Sequence, residues 1–173
     1  MGKHVIVKTY DPCWPQAFRR ISQELMNGLQ DSIISIEHVG STSVPGLAAK
    51  PIIDLDVVIS DSLPLETVIE KLSKLGYIHE GNLGIIGREA FRYEDKPHLY
   101  KHHLYVCKES SMELRRHIIF RDYLRKHPED AAEYGAVKLE AASLYPNSID
   151  DYMNHKSGFI YNIYVRCGLE KEE

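Results

Sequence analysis

Residues 38–58 read HVGSTSVPGLAAKPIIDLDVV. The stretch ends in a run, Ile52–Ile59, whose composition is that of a buried strand, yet it carries Asp54 and Asp56 two residues apart. In a strand, residues i and i+2 point to the same face, ~6.6 Å apart along the chain. Asp54 and Asp56 are therefore expected on one side, with Leu55 and Val57 on the other. Two carboxylates in an apolar setting repel each other, and burial further penalises their charged forms. A divalent cation between them reverses that balance, because Mg²⁺ accepts one or two carboxylates and completes its shell with water and phosphate oxygens. The plainer alternative is a solvated edge strand whose acids cap nearby N–H groups. The apolar residues Ile52, Ile53, Leu55, Val57, Val58 and Ile59 argue against a wet strand.

Immediately upstream, an expected strand from Ile33 to Val39 runs into Gly40-Ser41-Thr42-Ser43. Glycine permits a positive φ and a close backbone approach. The N–H groups and hydroxyls that follow can cradle a phosphate, particularly where a short helix begins. Taken alone, such a turn is also an ordinary cap. Its weight comes from the order strand, Gly-Ser turn, strand with D-x-D.

Working outward, Trp14, Phe18, Ile21, Leu25 and Leu29 recur at helical spacing. A second helix starts after Ser62 and Pro64, carries Leu65, Val68, Ile69, Leu72 and Leu75 on one face, and stops at Gly76. The Gly-rich segment 81–88, GNLGIIGR, reads as a loop at a hairpin tip, and strands are expected over Glu89–Tyr93 and His102–Cys107. His4–Lys8 is a short β-prone piece. From Ser110 the pattern is helical: about Ser111 to Lys126, Pro128 to about Tyr145, and a last helix with Ile149, Met153, Ile160, Ile163 and Cys167 on one face. The expectation is one α/β (α+β) domain over residues 1–173, with a sheet core to about residue 109 and a helical C-terminal part over about 110–168. The charged run Glu170–Glu173 reads as a frayed tail.

At 173 residues and a net charge of −4, the chain is long enough for a sizeable core and lacks the basic footprint of a general nucleic-acid binder. A nucleic acid substrate would need a local basic patch. Three scattered cysteines, Cys13, Cys107 and Cys167, argue against a disulfide framework or a zinc knuckle. No signal peptide or membrane-length apolar run is evident. A cytoplasmic location without membrane association is expected.

The Gly-Ser turn followed by D-x-D resembles the signature of the nucleotidyltransferase superfamily with the polymerase-β-like fold. More narrowly, EHVGSTSVPGLAAKPIIDLDVVI (residues 37–59) resembles the GrpB family. The resemblance extends through YDPCWPQAF, KHHLYV, FRDYLRKHPEDAAEYGAVK and a late Y-x-x-x-K ending at Lys156, and so covers most of the chain. It implies a sheet flanked by helices. It also implies that Gly40, Ser41 and Thr42 meet a nucleoside triphosphate and that Asp54 and Asp56 hold Mg²⁺ (or Mn²⁺). NMP would pass from an NTP to an acceptor that the sequence does not identify.

That superfamily usually adds a third carboxylate from a neighbouring strand. Here the candidate strand reads KHHLYVC, with no acid. By alternation His103, Tyr105 and Cys107 share a face, and His103 stands where a ligand or base is needed. Glu37 and Glu89 are fallback acids. The missing acid keeps a second reading open, a nucleotide- or metabolite-binding protein without catalysis. A third reading is a metal hydrolase using His38, His102 and His103 with Asp54, though no standard zinc spacing is present.

Basic residues sit in unusual places. Lys156 falls on the apolar stripe of the last helix, Lys138 borders the inner face of the helix before it, and Arg121 follows Leu114 and Ile118. Lys50 precedes the D-x-D strand. All four are candidates for the phosphates, against the alternative of snorkelling side chains. Arg88 and Arg92 alternate along the strand near residue 90 and are candidates for an anionic acceptor, or plain hairpin charges.

Overall fold

The computed structural model describes residues 4–169. The charged tail Glu170–Glu173 lies outside them. Nine elements of the sequence reading are present, a strand over Tyr77–Gly81 is added to them, and two regions differ. The chain folds as α1 (Trp14–Leu29), β1 (Ser35–Val39), β2 (Ile53–Ile59), α2 (Leu65–Lys74), β3 (Tyr77–Gly81), β4 (Glu89–Tyr93), β5 (His102–Lys108), α3 (Met112–Lys126), α4 (Pro128–Leu144) and α5 (Ile149–Arg166). A single 3-10 turn, Ser41–Ser43, follows β1.

The strands form one mixed sheet in the order β1-β2-β5-β4-β3. β2 and β5 are its parallel centre, with Asp54 opposite His103 and Asp56 opposite Tyr105. β1 runs antiparallel to β2, β4 antiparallel to β5, and β3 antiparallel to β4. The Gly-rich segment 81–88 is the tip of the β3–β4 hairpin, as its glycines suggested.

Alternation along the two central strands separates the molecule into layers. Ile53, Leu55, Val57 and Ile59 of β2, with Leu104 and Val106 of β5, face the main core. Trp14, Ile21, Leu25 and Leu29 of α1 and Val68 and Leu72 of α2 complete it. Each of these side chains is essentially removed from water, and full burial of a Leu or Ile is worth ~1.5–3 kcal/mol. The opposite sheet face carries Asp54, Asp56, Val58, His103, Tyr105 and Cys107 and is covered by the helical C-terminal part. Val58 and Cys107 pack there on Leu114 of α3. α3 and α4 begin sharply, the first on the Ser111 side chain, which accepts from Leu114 N, and the second on Pro128.

His4–Lys8 is not a strand. It makes one two-bond bridge, Lys8 with Ala49, at 2.9 Å in each direction, because the Lys50-Pro51 step that follows has no further strand to offer. The first half of α5 is also turned from expectation. Ile149 and Met153 are exposed, whereas Tyr152 is fully buried with Val5 and Ala141. An aromatic of that size outweighs two aliphatic neighbours in deciding which side faces inward. Lys156, one turn after Tyr152, remains on the inner side.

Candidate functional site

The site begins at the bend after β1. Gly40 has φ +70 and ψ −174, a conformation that L side chains do not hold without strain. A Cβ added there would collide with the Asp54 carboxylate. Glycine is therefore required twice over, by the backbone angle and by the acid that the turn embraces. Thr42 and Ser43 are buried. Ser43 Oγ donates to Gly40 O at 2.5 Å, and Thr42 Oγ1 lies 2.9 Å from His38 Nε2. Arg125 of α3 donates twice to Ser43 O, at 2.9 and 2.8 Å, and pins the turn from above. The turn is only three residues long, so its capacity for an anion rests on N–H groups and the Ser41 hydroxyl and not on a helix dipole.

Asp54 and Asp56 do share a face, and their surroundings differ. Asp54 is part-exposed, and its Oδ1 lies 2.9 Å from His103 Nδ1. Asp56 is completely buried. Its Oδ2 lies 2.6 Å from His117 Nδ1, and His117 Nε2 lies 3.1 Å from Glu113 Oε1. Asp56 Oδ1 is buried without a partner among the described residues. Burial pushes the Asp56 carboxyl up, partly opposed by its bond to His117. Burial pulls the other way on His117, but its bonds to Asp56 and Glu113 together outweigh that and raise the ring to about 9.

Beside Asp54 three lysines converge. Lys50, Lys138 and Lys156 line a pocket with Ser41, Thr42, Asp54, His103 and Tyr152. Its volume of about 80 Å³ is several times the ~10–15 Å³ one water needs. Lys138 is 1% exposed, and its Nζ has no hydrogen-bond partner among the described residues. That amine sits 4.5 Å from the Tyr134 ring centre, while Lys156 and Lys50 approach Tyr152 at 5.0 and 5.3 Å. Burial, reinforced by Lys156 and Lys50, lowers Lys138 to about 6. Burial and Lys50 lower Lys156 to about 8, and Lys50 is lowered chiefly by burial. Amines whose protonation is opposed by burial and by one another are stabilised in their charged forms by an anion placed between them.

The arrangement thus joins Gly40, Ser41, Thr42, Lys50, Asp54, His103, Lys138 and Lys156 at one place, with Asp56 next along the strand. Arg121 lies elsewhere. Its guanidinium donates to Glu37 Oε2 at 2.8 Å, His38 O at 3.1 Å and Asp122 Oδ1 at 2.9 Å, tying α3 to β1. It does not line the lysine pocket. Glu37 is occupied by that pair, and Glu89 bonds His79 at 2.6 Å. Arg92 is half-exposed between Glu80 and Glu94. Arg88 lies over the Tyr105 ring at 4.2 Å, on the carboxylate side of the sheet.

The three-histidine arrangement is overturned. His38 stacks on Phe18 at 4.6 Å, on the α1 side of the sheet. Burial, with Arg125 and Arg121 nearby, lowers it to about 4. His102 lies 2.8 Å from the Tyr77 hydroxyl on that same side. Strand alternation sends both away from His103.

Reasoning from sequence missed Glu113, His117, Arg125 and Tyr152. Three of them were marked by a pattern. Glu113, His117, Arg121 and Arg125 recur every fourth residue, so α3 lays a polar row, not an apolar stripe, across β1 and β2.

The residues present fit a divalent cation of the Mg²⁺ kind. Two carboxylates share a face, and among the described residues the one buried carboxylate oxygen without a partner belongs to Asp56. Such an ion needs only one or two protein carboxylates when substrate phosphates complete its shell. Among the described residues no group of three or more His, Cys, Asp or Glu side chains is poised to hold a metal, which does not suit a zinc-type cage. No described helix is long and apolar enough to cross a membrane.

Known proteins are similar to this chain in sequence and in fold. The family model described as GrpB protein matches residues 4–166. The protein YqkA of Bacillus subtilis is 34% identical over 158 residues, and the match covers 91% of this chain and 46% of YqkA. The chain thus spans about half the length of that relative. The glutamate-rich protein GrpB of Alkalihalophilus pseudofirmus is 33% identical over 162 residues, covering 92% of this chain and 93% of that protein. Among solved structures, the conserved protein GrpB of Enterococcus faecalis superposes with a TM-score of 0.81 at 37% identity, covering 93% of this chain and 96% of that one. The Cid1 poly(U) polymerase matches with a TM-score of 0.54 at 12% identity over 76% of this chain and 42% of its own. That likeness is one of fold, and the fold is nucleotidyltransferase-like. With the family model spanning nearly all of the described residues, and relatives matching at one residue in three, the chain belongs to the GrpB family.

Proposed function

We propose that this protein is a Mg²⁺- or Mn²⁺-dependent nucleotidyltransferase that moves NMP from an NTP to a nucleophilic acceptor, either a small molecule, a protein hydroxyl or RNA. The observation that carries the reading is the convergence of Lys50, Lys138 and Lys156 beside Asp54 and the Gly40 turn, with the Lys138 amine buried and unpartnered. A triphosphate supplies the negative charge that this cluster lacks.

In this reading Ser41, Thr42 and the turn's N–H groups orient the phosphates, and the lysines neutralise the β- and γ-phosphates. Asp54 and Asp56 would hold the cation, which when bound draws charge from the phosphate oxygens. His103 donates through Nδ1 to Asp54, which fixes its ring and leaves Nε2 free on the more exposed side. An acceptor hydroxyl attacks the α-phosphorus, its proton passes to His103 Nε2, the α–β P–O bond breaks, and pyrophosphate leaves.

A second reading, binding without transfer, is favoured by one observation. The β5 residue opposite Asp54 is His103, not an acid. Pyrophosphate release with any acceptor in a metabolite screen would sink it.

The test of the main reading is thermal shift with the four NTPs, with and without Mg²⁺ or Mn²⁺. A ligand at about 100 times its Kd stabilises by ~2.7 kcal/mol. The expected result is a metal-dependent shift with at least one NTP, lost in the Asp54→Asn, Asp56→Asn double variant. The reading fails if no NTP shifts the protein, or if the double variant shifts as the wild type does.

A further inference from the structure

The two oxygens of Asp56 have opposite surroundings. Oδ2 is held by His117 at 2.6 Å, while Oδ1 is buried and unpartnered. The other nitrogen of His117 faces Glu113 Oε1 at 3.1 Å. A ring nitrogen against a carboxylate oxygen must donate, so His117 serves both acids as a two-fold donor clamped between them. Its side chain is 18% exposed, beside a fully buried Asp56. The clamp therefore has little freedom to swing away.

Among the described residues, the neighbouring strands β1 and β5 offer no free carboxylate in place of Asp56 Oδ2. Opposite Asp54 and Asp56 on β5 stand His103 and Tyr105. On β1, Glu37 is paired with Asp56 in register but is bonded to Arg121 at 2.8 Å. Paired-ion sites hold two cations ~3.5–4 Å apart and need several carboxylate oxygens between them. Here one Asp56 oxygen is withheld, and a donor ring stands on that side.

We propose that His117 is a positioning residue that reserves Asp56 Oδ2, leaving Oδ1 and Asp54 to receive one divalent cation and not a pair. The inference rests on the nucleotidyltransferase reading for the cation itself, but it concerns a different matter, the number of ions and the residue that sets it. Neither the family match nor the fold likeness assigns His117 or Glu113 a role.

The experiment is a Mn²⁺ titration of the full chain saturated with a non-hydrolysable NTP analogue. Free Mn²⁺ is read by electron paramagnetic resonance, against the analogue alone. The wild type is expected to bind one Mn²⁺ per chain. His117→Ala is expected to bind it ~10–100-fold more weakly, the usual effect of losing such an outer partner. Glu113→Gln keeps an acceptor for the ring and is expected to stay near wild type. Should His117→Ala not fold, His117→Gln, which retains one donor, replaces it with the same expected direction. Two Mn²⁺ per chain would overturn the single-ion inference and leave the transferase reading standing. One Mn²⁺ with unchanged affinity in the His117 variant would overturn the positioning role. No chain-dependent Mn²⁺ binding at all would overturn both.

Discussion

Replacing Lys138 with methionine should make the protein more stable and unable to hold a nucleotide. Methionine keeps much of the length of the side chain and removes the amine, whose Nζ has no hydrogen-bond partner in a residue 1% exposed. The ordinary lysine value of 10.5 falls to about 6 at this position, so near neutrality the folded protein holds the amine uncharged while the unfolded chain protonates it. The unfolded state therefore binds more protons between about pH 6 and 10.5, and stability attributable to this residue rises with pH across that window. At pH 7 the cost is up to ~5 kcal/mol, and at pH 9 about 2 kcal/mol, at ~1.4 kcal/mol per pH unit. Local relaxation recovers part of this. The expected gain for Lys138→Met is at least ~2 kcal/mol at pH 7, or ~4–8 °C in Tm for a domain of this size. The gain should shrink by pH 9. Differential scanning calorimetry of both proteins at the two pH values, with and without Mg²⁺ and the NTP found by thermal shift, checks each part. A variant less stable than wild type at pH 7, a gain that does not shrink with pH, or an undiminished nucleotide shift would refute the reasoning.

Four further outcomes are expected. Gly40→Ala forces a side chain into a glycine-only conformation and against Asp54, so urea unfolding should register a loss of about 2 kcal/mol, and nucleotide binding should disappear with it. His103→Asn can still donate to Asp54, so the NTP thermal shift should persist while pyrophosphate release falls ~10²–10⁴-fold, the usual share of a general base. Arg121→Met should lower stability by ~1–3 kcal/mol through the loss of its bonds to Glu37 and His38, with calorimetric nucleotide affinity unchanged, since Arg121 lies outside the lysine pocket. His117, raised to about 9, stabilises fully below its ordinary 6.5 and loses that contribution as pH rises through 9. A stability–pH profile in the Lys138→Met background should therefore fall from pH 7 to 8, above which Lys156, lowered to about 8, offsets the fall, and His117→Gln should flatten the drop between pH 7 and 8.

Much of this was legible because two periodicities are simple. Trp14, Ile21, Leu25 and Leu29 all reach the core that their helical spacing foretold. The shared face of Asp54 and Asp56 follows from strand alternation alone, and the same rule put His103, Tyr105 and Cys107 together. Lys138 and Lys156 stood out as cations on inward-facing helix positions, and both are at the site. What stayed hidden was long-range pairing. The partner of Asp56, His117, lies 61 residues away on a helix whose inward side is polar, so a search for apolar stripes passed over it. Arg121 belongs to that same row, but its register along α3 aims it at Glu37 and outside the lysine pocket. Strand β3 was not anticipated, because Tyr77–Gly81 sits directly after a helix stop and pairs only at the sheet edge.

Asp54 and His103 are register partners on the two innermost strands, 49 residues apart in the chain. Fraying at an edge or a terminus leaves that couple joined. Their backbones part only when the middle of the sheet ruptures, and that same rupture opens the core packed beneath Leu55 and Leu104. The strands that carry the candidate site and the globule thus melt as a single unit.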